Sequence, residues 1–201
     1  ETDTYTAATD TETDTDTAAT DTGTMQTFTI VPEESQVSYA VDETFLEDNR
    51  FVTAVGVTQE INGEIMFDPD NPQASTLSPI EIDISAFTSD SERRDNAIRE
   101  DWLESARFPI ATFETTEIEG LPETYTEGEE MTLKITGDLT VRETTNPVTF
   151  ETTGSIENNE MRGTATTMVL MTDFGFEPPN ILEVLKAENE VDITFNFVAR
   201  P

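Results

Sequence analysis

The side chains best equipped for chemistry in this chain are carboxylates: its 201 residues include 43 Asp and Glu against 10 Lys and Arg, with no histidine and no cysteine. The lack of histidine removes the commonest general base and metal ligand, and with it any Ser-His-Asp mechanism. The lack of cysteine excludes disulfides, thiolate metal sites and thiol nucleophiles. Paired carboxylates cleave glycosides when an apolar setting raises the pKa of one of them, but no pair in this sequence is set apart by such surroundings. Asp68-Pro69-Asp70-Asn71 offers oxygens to a calcium ion, yet it lacks the spacing and the bidentate glutamate of an EF-hand loop and reads as a turn. Asp173-Phe174-Gly175 spells the metal-binding triplet of protein kinases without the phosphate loop or the catalytic loop that a kinase requires, and it reads as a turn closing a strand. The expectation is a non-enzymatic protein with no catalytic residues, no metal site and no cofactor.

Charge narrows the partners. A formal net charge of −33 repels nucleic acid and anionic membrane surfaces, so neither is an expected partner. No apolar run has the length of a transmembrane helix. The chain begins at Glu1 rather than at a methionine, as a processed export product does, and a secreted protein is expected. Asn-x-Ser/Thr sequons are absent, so N-glycosylation at that signal is not expected.

The elements that must position any site begin only after a sharp change of composition near Gly23. Residues 1–24 use Thr, Asp, Glu and Ala almost exclusively, and they repeat: Asp3–Thr13 reads DTYTAATDTET and Asp14–Thr24 reads DTDTAATDTGT. Such a segment buries too little apolar surface to offset its chain entropy. It reads as an acidic Thr-rich arm, either a solvated stalk open to O-glycosylation or a strand that pairs with a neighbouring subunit. The alternation of threonine with acid from Thr9 to Thr17 has the two-residue period that the second reading requires.

From residue 25 to residue 201 the pattern is that of an antiparallel β domain. Val37, Tyr39 and Val41 share one face of a strand, Ile80, Ile82 and Ile84 another, and Met131, Leu133, Ile135, Leu139 and Val141 a third, where Gly137 marks a bend or bulge. Further strands are predicted over Phe28–Val31, Val52–Phe67, Ile110–Ile118, Val148–Ile156, Met161–Met171 and Val191–Val198. One stretch breaks the period: Ile98, Trp102 and Ala106 lie four residues apart, which predicts a helix over Ser91–Ala106 with Ser89, Asp90 or Ser91 as its cap. Strands this numerous remove their edges by closing into a barrel, and the lone helix is then expected to roof one end.

Three stretches in order carry a family resemblance across about Gln26 to Pro201. They are Gly63-Glu64-Ile65-Met66-Phe67-Asp68-Pro69, then Arg94-Asp95 through Phe108-Pro109-Ile110-Ala111-Thr112-Phe113, then Gly137-Asp138-Leu139-Thr140-Val141-Arg142 with Pro147-Val148. In these the chain resembles the YceI-like proteins. The resemblance implies an all-β fold, an antiparallel eight-stranded lipocalin-like barrel with one short helix. It also implies export to the bacterial cell envelope or beyond, and a polyisoprenoid or similar long lipid held in the interior. Two positions depart from the family's pattern: Glu43 stands where many members carry a histidine, and Met171 precedes Thr172-Asp173-Phe174-Gly175 where members carry an arginine.

The residues on the apolar phase of their strands, Val37, Tyr39, Val41, Ile65, Phe67, Ile82, Ile84, Leu133, Ile135, Phe150, Phe195 and Phe197, are the expected lining, with Trp102 at the barrel's end controlling access. Met131, Met161, Met168 and Met171 with Phe113 would make that lining adaptable. The same residues would equally form an ordinary filled core. Two functions follow: a carrier holding an apolar lipid inside the barrel, or a structural subunit of an extracellular filament joined through residues 1–24.

Overall fold

The computed structural model describes residues 25–182 and 184–201; the Thr-rich arm, and with it the stalk and filament readings, lies outside the described residues. Within them, one antiparallel sheet of fourteen strands accounts for nearly all regular structure. The strands are β1 (Gln26–Ile30), β2 (Gln36–Phe45), β3 (Arg50–Thr58), β4 (Ile61–Asn62), β5 (Glu64–Phe67), β6 (Thr76–Leu77), β7 (Ile80–Asp83), β8 (Ile110–Glu119), β9 (Met131–Val141), β10 (Thr144–Glu157), β11 (Glu160–Leu170), β12 (Asn180–Ile181), β13 (Leu185–Ala187) and β14 (Glu190–Arg200).

The sheet curls into a barrel. Its ladder runs from β4 through β7, β8, β9, β10, β11 and β14 to β2, β2 pairs with β3, and the chain leads from β3 back into β4 across Gln59 and Glu60. The strand count exceeds the expected eight, and the one strand predicted over Val52–Phe67 is divided into β3, β4 and β5. Pro32 opens a 3-10 turn that splits β1 from β2, although both run along β14. Ser78 and Pro79 separate β6 from β7, because proline has no amide to give to a ladder. The β12–β13 hairpin adds two further strands beside the end of β2, where Leu185 pairs with Phe45.

Alternation decides which side chains point inward. The outer face carries cross-strand polar pairs: the Thr136 and Thr149 hydroxyls lie 2.8 Å apart, as do those of Thr140 and Thr145. Lys134 and Glu151 form an ion pair at 3.2 Å on the same face, of the kind that supports neighbouring strands modestly. Gly137 does mark an irregularity, and the extra residue belongs to its partner: the β8–β9 register shifts between Thr115 and Glu117. The Phe113 ring covers the glycine so closely that a Cβ there would come within 2.6 Å of it. Gly56 serves Tyr39 in the same way, since the two are paired across β2 and β3 and a Cβ would meet the Tyr39 ring at 2.2 Å.

The helix is shorter than expected. Helix α1 (Glu92–Ala97) passes into one π-helical stretch at Ile98–Trp102 and stops there rather than at Ala106. Glu104 adopts a left-handed φ of 47°, which turns the chain away, and the Ser105 amide reaches back to the Arg99 carbonyl at 2.8 Å. Ser91 is the cap, its hydroxyl accepting from the Arg94 amide. Buried Asp95 accepts from the Ser89 amide at 2.9 Å and from its hydroxyl at 2.5 Å. Arg99 donates to the Ser85 and Phe87 carbonyls. These bonds fix the helix across the barrel's end.

Candidate functional site

The barrel encloses a cavity of about 460 Å³. Its wall is built from the inward phase of nearly every strand: Val37, Tyr39 and Val41 from β2, Ile65 and Phe67 from β5, Ile82 from β7, Leu133 and Ile135 from β9, Phe150 from β10, and Phe195 and Phe197 from β14. Ile84 also lines it, although not from a strand as expected. It sits in a 3-10 turn over Ile84–Ala86, where the Asp83 carboxylate accepts the Ser85 amide at 2.9 Å and ends β7. The helical segment contributes Arg94, Ala97, Ile98 and Trp102 at three- and four-residue steps, which is one face of a helix.

All the side chains expected to line the interior therefore face one space. Val37, Val41, Phe67, Ile84 and Ile135 are buried; Tyr39, Ile65, Ile82, Trp102, Leu133, Phe150, Phe195 and Phe197 are half-buried while bordering the cavity. Rings meet edge to face within its wall, Tyr39 with Phe87 at 5.2 Å and Phe113 with Phe150 at 5.1 Å. The methionine expectation needs correction at one position. Met131, Met161 and Met171 line the cavity, whereas Met168 is 54% exposed on the outer phase of β11. Ala165 and Val169, on the same inward phase as Met161, complete that wall; the two-residue period marks them as clearly as it marks Val37.

The cavity has a charged corner. Glu43, 7% exposed at the inner end of β2, receives a hydrogen bond from Arg94 Nη2 at 3.2 Å. Arg94 also donates to Asp90 and, at 3.4 Å, to the Ser89 hydroxyl. Burial works against the guanidinium charge, and the bonds to Glu43 and Asp90 more than offset it, holding the Arg94 pKa above its ordinary value. Tyr39 stands nearby. Burial chiefly, and the Asp95 carboxylate next, push its phenol up to about 12. The Thr152 hydroxyl also borders the cavity and has no hydrogen-bond partner among the described residues. Met171, at the family's arginine position, is buried in the cavity wall, so that position brings no charge to the interior.

The set-aside motifs are turns. The Asp68 carboxylate accepts the amides of Asp70 and Asn71 at 3.0 and 3.1 Å, closing its own loop. Phe174 is buried in the core at the end of a 3-10 turn, and Gly175 follows with a left-handed φ of 79°.

Comparison with known proteins agrees with this architecture. Residues 28–199 match the model of the YceI-like domain. A UPF0312 protein of Pseudomonas putida (strain GB-1) is 30% identical over 130 residues, 62% of this chain and 64% of the relative. Protein YceI of Escherichia coli O157:H7 is 34% identical over 97 residues, 48% of this chain and 46% of that one. The chain thus spans 64% of the length of the Pseudomonas relative. Among crystal structures, Burkholderia cenocepacia BcnA superposes with a TM-score of 0.65 at 20% identity, covering 84% of this chain and 98% of BcnA. A polyisoprenoid binding domain from Saccharophagus degradans, described as implicated in plant cell wall breakdown, superposes with a TM-score of 0.65 at 11% identity, covering 86% and 97%. With the family pattern matched from Phe28 to Ala199 over a curled antiparallel barrel roofed by one short helix, this chain belongs to the YceI-like family.

Proposed function

We propose that this protein is a non-enzymatic carrier that holds one long apolar lipid, of polyisoprenoid class, inside the barrel. The observation that carries the reading is the cavity itself: about 460 Å³ of space walled by aliphatic and aromatic side chains, with Glu43 and Arg94 as a polar corner. That volume falls within the range of about 300–1,000 Å³ typical of ligand sites, and an apolar wall with few polar groups is their usual construction. An adaptable lining of Met131, Met161 and Met171 suits a flexible chain. The polyisoprenoid-binding description of the Saccharophagus domain, which shares the fold, supports the class of ligand. Export to the cell envelope or the extracellular space fits the same reading, since a lipid passing through water needs a protein to shield it.

Trp102 is the chain's single tryptophan and borders the cavity. Titrating delipidated protein with geranylgeraniol should shift its emission saturably at one lipid per chain. An Ala165→Phe variant, which places a ring in the cavity, should abolish the response. Equal responses in both proteins, or none in either, would refute internal binding.

A further inference from the structure

Large apolar side chains are rarely left in water in a contiguous group unless something covers them. Among the described residues, Leu182 is 84% exposed, Phe51 76%, Val184 48%, Leu46 46% and Ile181 41%. All five lie at one end of the barrel, on two neighbouring hairpins. The Leu46 amide donates to the Val184 carbonyl at 2.9 Å. Phe45 pairs with Leu185 on one side and with Arg50 on the other, and Ile181 pairs with Leu185. Ile181 and Val184 also line the cavity. Ile181 and Val184, exposed on one side and lining the cavity on the other, therefore join this end of the molecule's surface to the interior.

We propose that this lip docks on a zwitterionic lipid bilayer and is the portal through which the lipid enters. The inference rests on the carrier reading for what passes through, but not for the docking itself. Three observations select a bilayer over other occupants. The lip is continuous with an apolar cavity, so a lipid leaving a membrane there need not cross water. A second copy is disfavoured by a net charge of −33 per chain. Charge at the lip is mixed and slightly acidic: Arg50 pairs with Asp48 at 3.5 Å and Lys186 with Glu188 at 3.9 Å, while the sequence adds negative charge at Glu47 and Glu183, which suits head groups without net negative charge. Arg50 has apolar footing, since its guanidinium lies 4.4 Å from the centre of the Phe45 ring. Phenylalanine and leucine beside a basic residue are the side chains that enter the interface between head groups and acyl chains.

The test is co-sedimentation with bare phosphatidylcholine vesicles, followed by transfer of geranylgeraniol from loaded vesicles. The native chain should bind the vesicles. A Phe51→Ser, Leu182→Ser variant should lose that binding and transfer lipid at least tenfold more slowly, while retaining its melting temperature and its affinity for geranylgeraniol delivered by cyclodextrin. A Leu182→Trp variant should bind vesicles severalfold more tightly, as tryptophan favours the interface. Vesicle binding that is absent in the native chain, or unchanged in the serine variant, would overturn the proposal. So would tighter binding to phosphatidylglycerol vesicles, or a native dimer that the serine variant dissolves. Vesicle binding without cyclodextrin-delivered uptake would leave the lip standing and sink the carrier reading instead.

Discussion

Glu43 and Arg94 meet at 3.2 Å in a charged corner of a mainly apolar cavity, with side chains only 8% and 16% exposed. The two are 51 residues apart in sequence; β2 brings the acid and the roofing helix brings the base. The pair ties the helix to the barrel wall. Asp90, itself exposed, shares the guanidinium.

Removing the base should therefore be more damaging than neutralising the acid. Arg94→Met leaves a carboxylate buried without its cation and should lower unfolding free energy by about 3–5 kcal/mol. Glu43→Gln keeps a hydrogen-bonding group and leaves Asp90 for Arg94, so about 1–2 kcal/mol is expected. Urea unfolding of both variants measures the difference. Equal losses would mean that the corner is too wet for pairing to matter.

The Tyr39 phenol, pushed up to about 12 by burial first and by Asp95 next, makes stability depend on alkaline pH. A folded pKa above the unfolded one, near 10, means that the native state holds its proton more tightly. The contribution is thus complete below pH 10 and lost as pH rises toward 12. Tyr39→Phe should unfold with a shallower loss of stability across that window than the native chain. Parallel slopes for the two proteins would contradict the assignment.

Trp102 borders the cavity half-buried, so Trp102→Ala should destabilise by less than the roughly 3–5 kcal/mol of a full core deletion. The same change opens the roof and should speed geranylgeraniol exchange. Stopped-flow release against an acceptor measures this. A stability loss with unaltered release would make Trp102 a packing residue and remove its role at the entrance.

Salt should stabilise this chain. At net charge −33 self-repulsion opposes folding, and raising ionic strength from about 0.01 M to 1 M shortens the screening length from about 30 Å to 3 Å. The exposed ion pairs that link Glu34, Arg200, Glu160 and Arg162 weaken under the same change, but surface pairs contribute little. The melting temperature should rise with sodium chloride. A fall would show that those bridges outweigh the repulsion.

Much of this site was legible before the structure, because β alternation is local: each of Val37, Tyr39 and Val41 announces its face through its neighbours two positions away. The strand count was not, since the single run predicted over Val52–Phe67 is divided into β3, β4 and β5, and β6, β12 and β13 are too short to show a period. The helix end was hidden by Ala106, which keeps the four-residue spacing although the left-handed backbone at Glu104 has already turned the chain. Nor did the sequence show what Glu43 meets, because its partner lies on another element. The exposed lip was equally invisible: Phe51 and Leu182 sit in strands and turns whose composition resembles that of the core, and only the position of the two hairpins leaves them outside.

The most direct test of an internal lipid is native mass spectrometry of the chain purified without detergent or solvent. The account predicts one apolar adduct per chain that organic extraction removes, that geranylgeraniol restores at equal stoichiometry, and that Ala165→Phe prevents. A bare protein mass before and after incubation with geranylgeraniol, or adducts that bind equally to the Ala165→Phe variant, would contradict it.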